Sequence, residues 1–138
     1  NDDIVVVSRD SSSGTYESWA EMVVQMGGEA PDRDYLPGAL KKSANKDVRQ
    51  TVAQTESAVG YIGLGYLDDS VKALSVGPEG EAVEPTVESV QDGSYPISRK
   101  LYMYTNGEPS GVVAEFLGWG MSEEGQQIVK EQGFVPVE

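Results

Sequence analysis

A short segment of the chain combines residue types that suit anion binding. Residues 9 to 15 read RDSSSGT and directly follow an apolar run, IVVV, at residues 4 to 7. An apolar run, a glycine-containing turn and a helical pattern predict a strand that feeds a helix start. Backbone N–H groups at a helix start attract anions, and a planar guanidinium suits a tetrahedral oxyanion. The residues expected to bind such an ion are Arg9, Ser13, Gly14 and Thr15.

Two neighbours of these residues are expected to support the site, namely Asp10 and Ser12. Asp10 stands where its carboxylate can bond the Arg9 guanidinium and fix its orientation. Simpler interpretations stay open at this point. Ser13 or Thr15 can serve only as a helix N-cap, with the glycine easing the turn. Arg9 and Asp10 can form only a surface ion pair, which is worth about 0–1 kcal/mol.

The composition excludes several classes of chemistry. The chain has no His and no Cys, which removes Ser-His and Cys-His dyads, the usual zinc sites and disulfides. The phosphate loop of P-loop proteins and the dinucleotide-binding glycine pattern are absent, because Gly63-Leu64-Gly65 lacks a third glycine at the right spacing. The adjacent pairs Asp68-Asp69 and Glu123-Glu124 do not suggest a metal site. We therefore expect no metal and no cofactor.

The charge balance excludes nucleic acid as a partner. The formal net charge is −13, from 23 acidic and 10 basic residues, whereas nucleic-acid binding requires a basic surface. The dispersed acidic residues are typical of a solubilising surface, and adaptation to high salt is the alternative. Neither excludes an anion site, because distant charges are screened beyond about 8 Å at physiological salt.

The elements that must position this site are predicted from hydrophobic periodicity. We expect strands at residues 4–8, 58–62, 71–76 and 99–105, and helices at residues 15–26, 44–56 and 85–92, with one or two more within 109–132. Asn45, Pro85 and Ser122 are the expected helix-start residues, and residues 28–43 are read as a loop. This alternation predicts an α/β fold with the turn after Arg9 beyond the end of a strand.

Four tyrosines lie in apolar or strand-like segments, and two interpretations of them stay open. Side chains of this type line ligand clefts, but they also pack into cores with the hydroxyl satisfied at an edge. The residues concerned are Tyr61, Tyr66, Tyr102 and Tyr104.

Four motifs in order then carry a family resemblance. Arg9, Ser13, Gly14 and Thr15 match an R-x-x-x-S-G-T phosphate loop. Residues 45–67 end in GYIGLGYL, residues 95–102 read YPISRKLY, and SEEGQQ at 122–127 is followed by GFVPV at 133–137. With these motifs the chain resembles the substrate-binding protein of phosphate ABC importers, which has the type II periplasmic-binding-protein fold.

The resemblance implies one lobe of a two-lobed α/β protein, with a mixed, mostly parallel sheet flanked by helices. Residues 1–94 would form the phosphate-binding lobe, which is the second lobe of the family. Residues 95–138 would form the hinge crossover and C-terminal helices, which pack on a first lobe that this chain lacks. The chain would then hold only half of the ligand contacts, and the apolar face of residues 112–121 would be exposed or would associate with another copy.

The implied function is non-enzymatic binding of inorganic phosphate for delivery to the membrane subunits of an ABC importer. The expected location is extracellular or periplasmic, with a membrane tether in the full-length protein left open. Two alternatives stay open from the residues alone: a phosphate-ester hydrolase that uses the same oxyanion loop, and an interaction module without a ligand. The preferred tetrahedral oxyanion is also open.

Overall fold

The computed structural model describes residues 3 to 137. They divide into two compact units, one ending at Leu74 and the other beginning at Ser75. The predicted division into residues 1–94 and 95–138 concerns packing on a lobe beyond this chain, and it stays a prediction.

A three-stranded parallel sheet forms the centre of the first unit. Its strands are β1 (Val5–Arg9), β2 (Leu40–Lys42) and β3 (Ala58–Gly60), in the order β2-β1-β3. Val7 pairs with Leu40 on one side and with Gly60 on the other. Val7 lies in the central strand and is fully buried, whereas Ile4, which precedes the strand, is 70% accessible.

Helices connect these strands. The first is α1 (Gly14–Trp19), which continues as a π-helical turn at Ala20–Val24 and a 3-10 turn at Met26–Gly28. The second is α2 (Asn45–Gln54), which buries Val48, and a 3-10 turn follows β3 at Leu64–Tyr66. Parallel strands with helical connections confirm the predicted α/β class.

The second unit is helical in its regular parts. It contains α3 (Val87–Gln91), α4 (Gly111–Gly120) and α5 (Glu123–Glu131). Ser122 caps α5 by accepting a bond from the Gly125 N–H at 3.3 Å, as predicted. The apolar side of α4 is exposed, with Val112 79% and Phe116 57% accessible.

Several predicted elements differ from the structure. Residues 99–105 and 71–76 form no strand among the described residues, apart from an isolated antiparallel bridge between Val76 and Val83. A strand needs a neighbour to satisfy its backbone groups, and periodicity alone does not supply one. The third helix starts after Thr86, whose hydroxyl accepts from the Ser89 N–H, so that Pro85 lies before the helix and not at its first position.

No helix in residues 3–137 is long and apolar enough to cross a bilayer.

Candidate functional site

The predicted anion loop joins the end of β1 to the start of α1, as the sequence indicated. Arg9 is the last residue of β1, and Ser13 is the N-cap of α1. The Ser13 hydroxyl oxygen accepts bonds from the N–H groups of Thr15 at 3.2 Å and Tyr16 at 3.4 Å. Ser13 therefore has the capping role, and since it accepts in both bonds its own O–H can still donate.

The Arg9 side chain is held by three neutral oxygen atoms. Its Nε donates to the Lys42 carbonyl at 3.3 Å, Nη1 donates to Asn45 Oδ1 at 2.9 Å, and Nη2 donates to the Ser43 carbonyl at 2.7 Å. Only 9% of the residue is accessible. The guanidinium is thus fixed in direction by β2 and the start of α2, close to the beginning of the loop.

The charge of this guanidinium has no carboxylate partner within 4.0 Å in the part of the chain that the structure describes. An arginine has five N–H donors. The three bonds to neutral oxygens, which we call the cage, leave one N–H donor on each terminal nitrogen. A buried charge without an opposite charge is unfavourable. The arrangement therefore favours an anion that would receive these two donors.

Asp10 and Ser12 form a turn of their own. The Asp10 carboxylate accepts from the Ser12 N–H at 3.2 Å and from the Ser12 hydroxyl at 2.6 Å. The guanidinium of Arg9 is therefore oriented by the three cage oxygens and not, as expected from the sequence, by Asp10. The carboxylate instead fixes the shape of the loop.

Gly14 and Thr15 complete the loop at the first turn of α1. The Gly14 carbonyl accepts from the Ser18 hydroxyl at 2.7 Å, and Thr15 is partly exposed. The structure thus brings Arg9, Ser13, Gly14 and Thr15 together around one turn. Their contact with phosphate remains a prediction.

Asn45 is the site residue that sequence reasoning assigned incorrectly. It was expected to cap the second helix, but Ala44 occupies that position and Asn45 is the first helical residue. Its side-chain oxygen accepts from Arg9 and from the Gly63 N–H at 3.3 Å. No local signal reveals this role, because Asn45 meets Arg9 only through the pairing of β1 with β2.

A group of stacked aromatic residues packs against α1, next to the loop. Trp19 stacks on Tyr61 with ring centroids 4.6 Å apart, and Tyr16 stacks on Tyr35 at 4.2 Å. Tyr61 is 8% accessible and belongs to the core, which decides between the two interpretations for this tyrosine. The other three tyrosines considered above are exposed by 41%, 69% and 90%: Tyr66, Tyr102 and Tyr104.

The pKa values of two of these tyrosines, Tyr35 and Tyr16, are raised. Burial, together with the hydrogen bond to Tyr61, raises the pKa of Tyr35 far above its ordinary value. Burial also raises the pKa of Tyr16. Both side chains therefore remain neutral hydrogen-bonding groups at physiological pH.

Residues 3–137 contain no cluster of three or more acidic, His or Cys side chains that could hold a metal ion. An open depression of about 380 Å³ lies along β2 and α2, between Lys41 and Gln54. It includes Lys42 and Ser43, whose carbonyls hold Arg9, but not Arg9 or the anion loop. We place the candidate site at the loop, because buried charge and directed donors decide binding of a small anion more than cavity size does.

Three comparisons with known proteins agree on one group. A family model described as "PBP superfamily domain" matches residues 1–124. The chain is 37% identical over 136 residues to the "Phosphate-binding protein PstS" of Bacillus subtilis and 34% identical over 140 residues to that of Pseudomonas aeruginosa. Each alignment covers 97% of this chain but only 42% of the relative.

Solved structures show the same relation. A phosphate-binding protein of a phosphate ABC transporter from Streptococcus pneumoniae superimposes with a TM-score of 0.78 at 27% identity. A putative phosphate ABC transporter substrate-binding protein from Clostridium perfringens, solved with bound phosphate, gives 0.74 at 32% identity. Both matches cover 98% of this chain and 52% of the other chain. The chain therefore spans about half the length of the proteins that it matches.

Proposed function

Since this chain belongs to the PBP superfamily, we propose that it forms one half of a protein that binds inorganic phosphate and delivers it to an ABC importer. Arg9 supplies the charge and two N–H donors. Ser13 and Thr15 supply hydroxyl donors, and Gly14 allows the ion to approach the main chain. The protein acts outside the cytoplasmic membrane, where such an importer collects its ligand.

One observation carries the proposal, namely a buried guanidinium caged only by neutral oxygens. Two carbonyls and one amide oxygen fix the direction of Arg9 without cancelling its charge. A purely structural arginine would be expected to pair with a carboxylate, since a buried charge otherwise lacks compensation. A phosphate ion provides the missing charge and accepts charge-assisted hydrogen bonds, which are roughly twice as strong as neutral ones.

The proposal includes a partner half for the site. This chain covers 42% of curated relatives named as phosphate-binding proteins, so the remaining contacts would come from a first lobe. An ion held from one side stays partly hydrated, and its electrostatic bonds are weakened by the high local dielectric. We therefore expect weak phosphate binding by these 138 residues alone and tight binding in the two-lobed protein.

The proposed function is binding and transport without catalysis. The chain contains no His and no Cys, so a hydrolase would lack the usual base for a serine nucleophile. The relatives reported above are named for binding and transport.

Titration with inorganic phosphate tests the proposal. We expect the amide signals of Ser13, Gly14 and Thr15 in ¹⁵N NMR spectra to shift progressively with phosphate. Arg9→Ala should weaken binding at least about tenfold, because it removes charge-assisted bonds.

Arg33→Ala is the matched control, since Arg33 is an exposed arginine in the same unit. It should leave phosphate affinity unchanged. Equal affinity of wild type and Arg9→Ala would show that the site is misplaced.

A further inference from the structure

Two tyrosine hydroxyls form a continuous hydrogen-bond chain behind the anion loop. The Arg9 N–H donates to the Tyr61 hydroxyl oxygen at 3.2 Å. The Tyr61 hydroxyl donates to that of Tyr35 at 3.2 Å, and the Tyr35 hydroxyl donates to the Tyr16 carbonyl at 2.6 Å. This series of hydrogen bonds thus starts at the end of β1 and ends in the first turn of α1.

The two ends of this hydrogen-bond series, the Arg9 N–H and the Tyr16 carbonyl, lie on either side of the loop of residues 10–15. We propose that Tyr61 and Tyr35 are positioning residues, which set the distance between the end of β1, where Arg9 lies, and the donors at the start of α1. This inference rests on the proposed phosphate site. A tetrahedral ion requires its donors at fixed separations, so the spacing of the loop ends bears directly on affinity.

The surroundings of both phenols favour a fixed geometry. The Tyr61 ring lies nearly parallel to that of Trp19, with 3° between the planes. Its hydroxyl is also 2.8 Å from the Ser8 hydroxyl, which adds a second contact from β1. Tyr35 stacks on the ring of Tyr16 and bonds its carbonyl, so Tyr35 contacts one residue of α1 in two ways.

The Tyr35 hydroxyl also keeps one protonation state. Burial raises the pKa of Tyr35, so its hydroxyl remains a donor to the Tyr16 carbonyl throughout the physiological range. A neutral hydroxyl on Tyr35 adds no charge near the loop. The positive field at the site is therefore left to the guanidinium.

Phenylalanine variants separate the hydroxyls from the rings, because Phe keeps the stacking and removes only the hydrogen bonds. Tyr61→Phe and Tyr35→Phe should each lower affinity for inorganic phosphate about three- to tenfold, as expected for loss of a buried hydrogen bond that orders the site. Affinity is measured by ¹⁵N NMR titration of the 138-residue chain, at a temperature where each variant is folded. If Tyr61→Phe does not fold, Tyr35→Phe alone decides.

Two controls distinguish positioning from general stabilisation. Tyr66→Phe alters an exposed tyrosine and should leave affinity unchanged. Val52→Ala removes packing beneath α2 and should lower the melting temperature while leaving affinity unchanged. The inference is overturned if the Phe variants bind phosphate as wild type does, or if Val52→Ala lowers affinity to the same extent at an equal loss of stability.

The same titration separates the inference from the function on which it rests. If the wild-type chain shows no phosphate-dependent shift, the proposed site itself fails and the positioning role falls with it. If wild type binds while both Phe variants match it, only the positioning role is overturned.

Discussion

At the scale of single residues, the site depends on which neighbour Arg9 has. Asn45 holds the guanidinium at 2.9 Å with a neutral oxygen, whereas an aspartate of nearly the same shape would hold it with a charged one. The neutral choice orients the side chain and leaves its charge for a ligand. The binding role proposed for Arg9 therefore depends on the identity of one atom in the Asn45 side chain.

Asn45→Asp is predicted to weaken phosphate binding while it stabilises the fold. The new carboxylate would pair with Arg9 and repel a phosphate ion, and an ion pair at this partly buried position should add about 1 kcal/mol to the free energy of unfolding. Phosphate titration and thermal unfolding at pH 7 measure the two effects.

Asn45→Ala is the comparison variant. It removes the bonds to Arg9 and to the Gly63 N–H, and it should lower both affinity and stability. Unchanged phosphate affinity in Asn45→Asp would contradict the role given to the charge of Arg9.

Sequence reasoning predicted the local part of the candidate site but not the distant residues that hold Arg9. Arg9, Ser13, Gly14 and Thr15 lie within one turn, so their spacing alone brings them together. The oxygens that hold Arg9 come from residues more than thirty positions later in the chain. They reach it only through the register of β1 with β2, which residue types do not encode.

At the scale of elements, β3 approaches α2 closely at Gly60. A Cβ built on Gly60 would lie 2.8 Å from Val48 Cγ1 and 3.1 Å from the Val7 carbonyl oxygen. The carbonyl is part of the central strand and cannot move aside easily. Glycine is therefore required here by packing and not by backbone conformation.

Gly60→Ala is predicted to lower the free energy of unfolding by about 1–3 kcal/mol, the usual cost of overpacking a core. Denaturant unfolding of the chain measures the change. Gly38→Ala is the matched control, since a Cβ on Gly38 meets nothing within 4 Å. Equal stability of the two variants would contradict the packing described for β3 and α2.

Long periodic elements were predicted well, and short or isolated ones were not. Helix α2 agrees with its predicted range within two residues at either end, and α5 begins directly after its predicted cap, Ser122. Strand β2 has only three residues and follows a segment rich in Pro and Gly, so no periodicity marks it. Residues 99–105 have strand-like alternation but no neighbouring strand among the described residues, so the local preference is not realised.

At the scale of the whole molecule, the second unit exposes an apolar surface on α4. The exposed side of α4, including Val112, Phe116 and Trp119, agrees with the expected exposure of residues 112–121. The sequence predicted this exposure through the family resemblance, since periodicity alone would place such a face in a core.

The net charge of −13 predicts salt-dependent stability. Like charges repel one another in the folded chain, and salt screens that repulsion. The melting temperature should therefore rise between about 0.05 and 1 M sodium chloride, where the Debye length falls from about 14 Å to about 3 Å.

A charge variant separates screening from the general effect of salt on apolar surfaces. Replacing the exposed Glu79, Glu81 and Glu84 with Gln should reduce the salt dependence, because fewer charges remain to be screened. A melting temperature that is insensitive to sodium chloride in the parent chain would show that self-repulsion is not significant.

The central claim is that the caged, uncompensated guanidinium of Arg9 binds phosphate together with the loop that follows it. The most direct measurement is the ¹⁵N shift of the Arg9 Nη–H groups, which keep the donors left for phosphate, during titration of the chain with inorganic phosphate. We predict a saturable shift with the same midpoint as the amide shifts of Ser13, Gly14 and Thr15. A titration in which the Arg9 signal stays constant while phosphate binds would contradict the account.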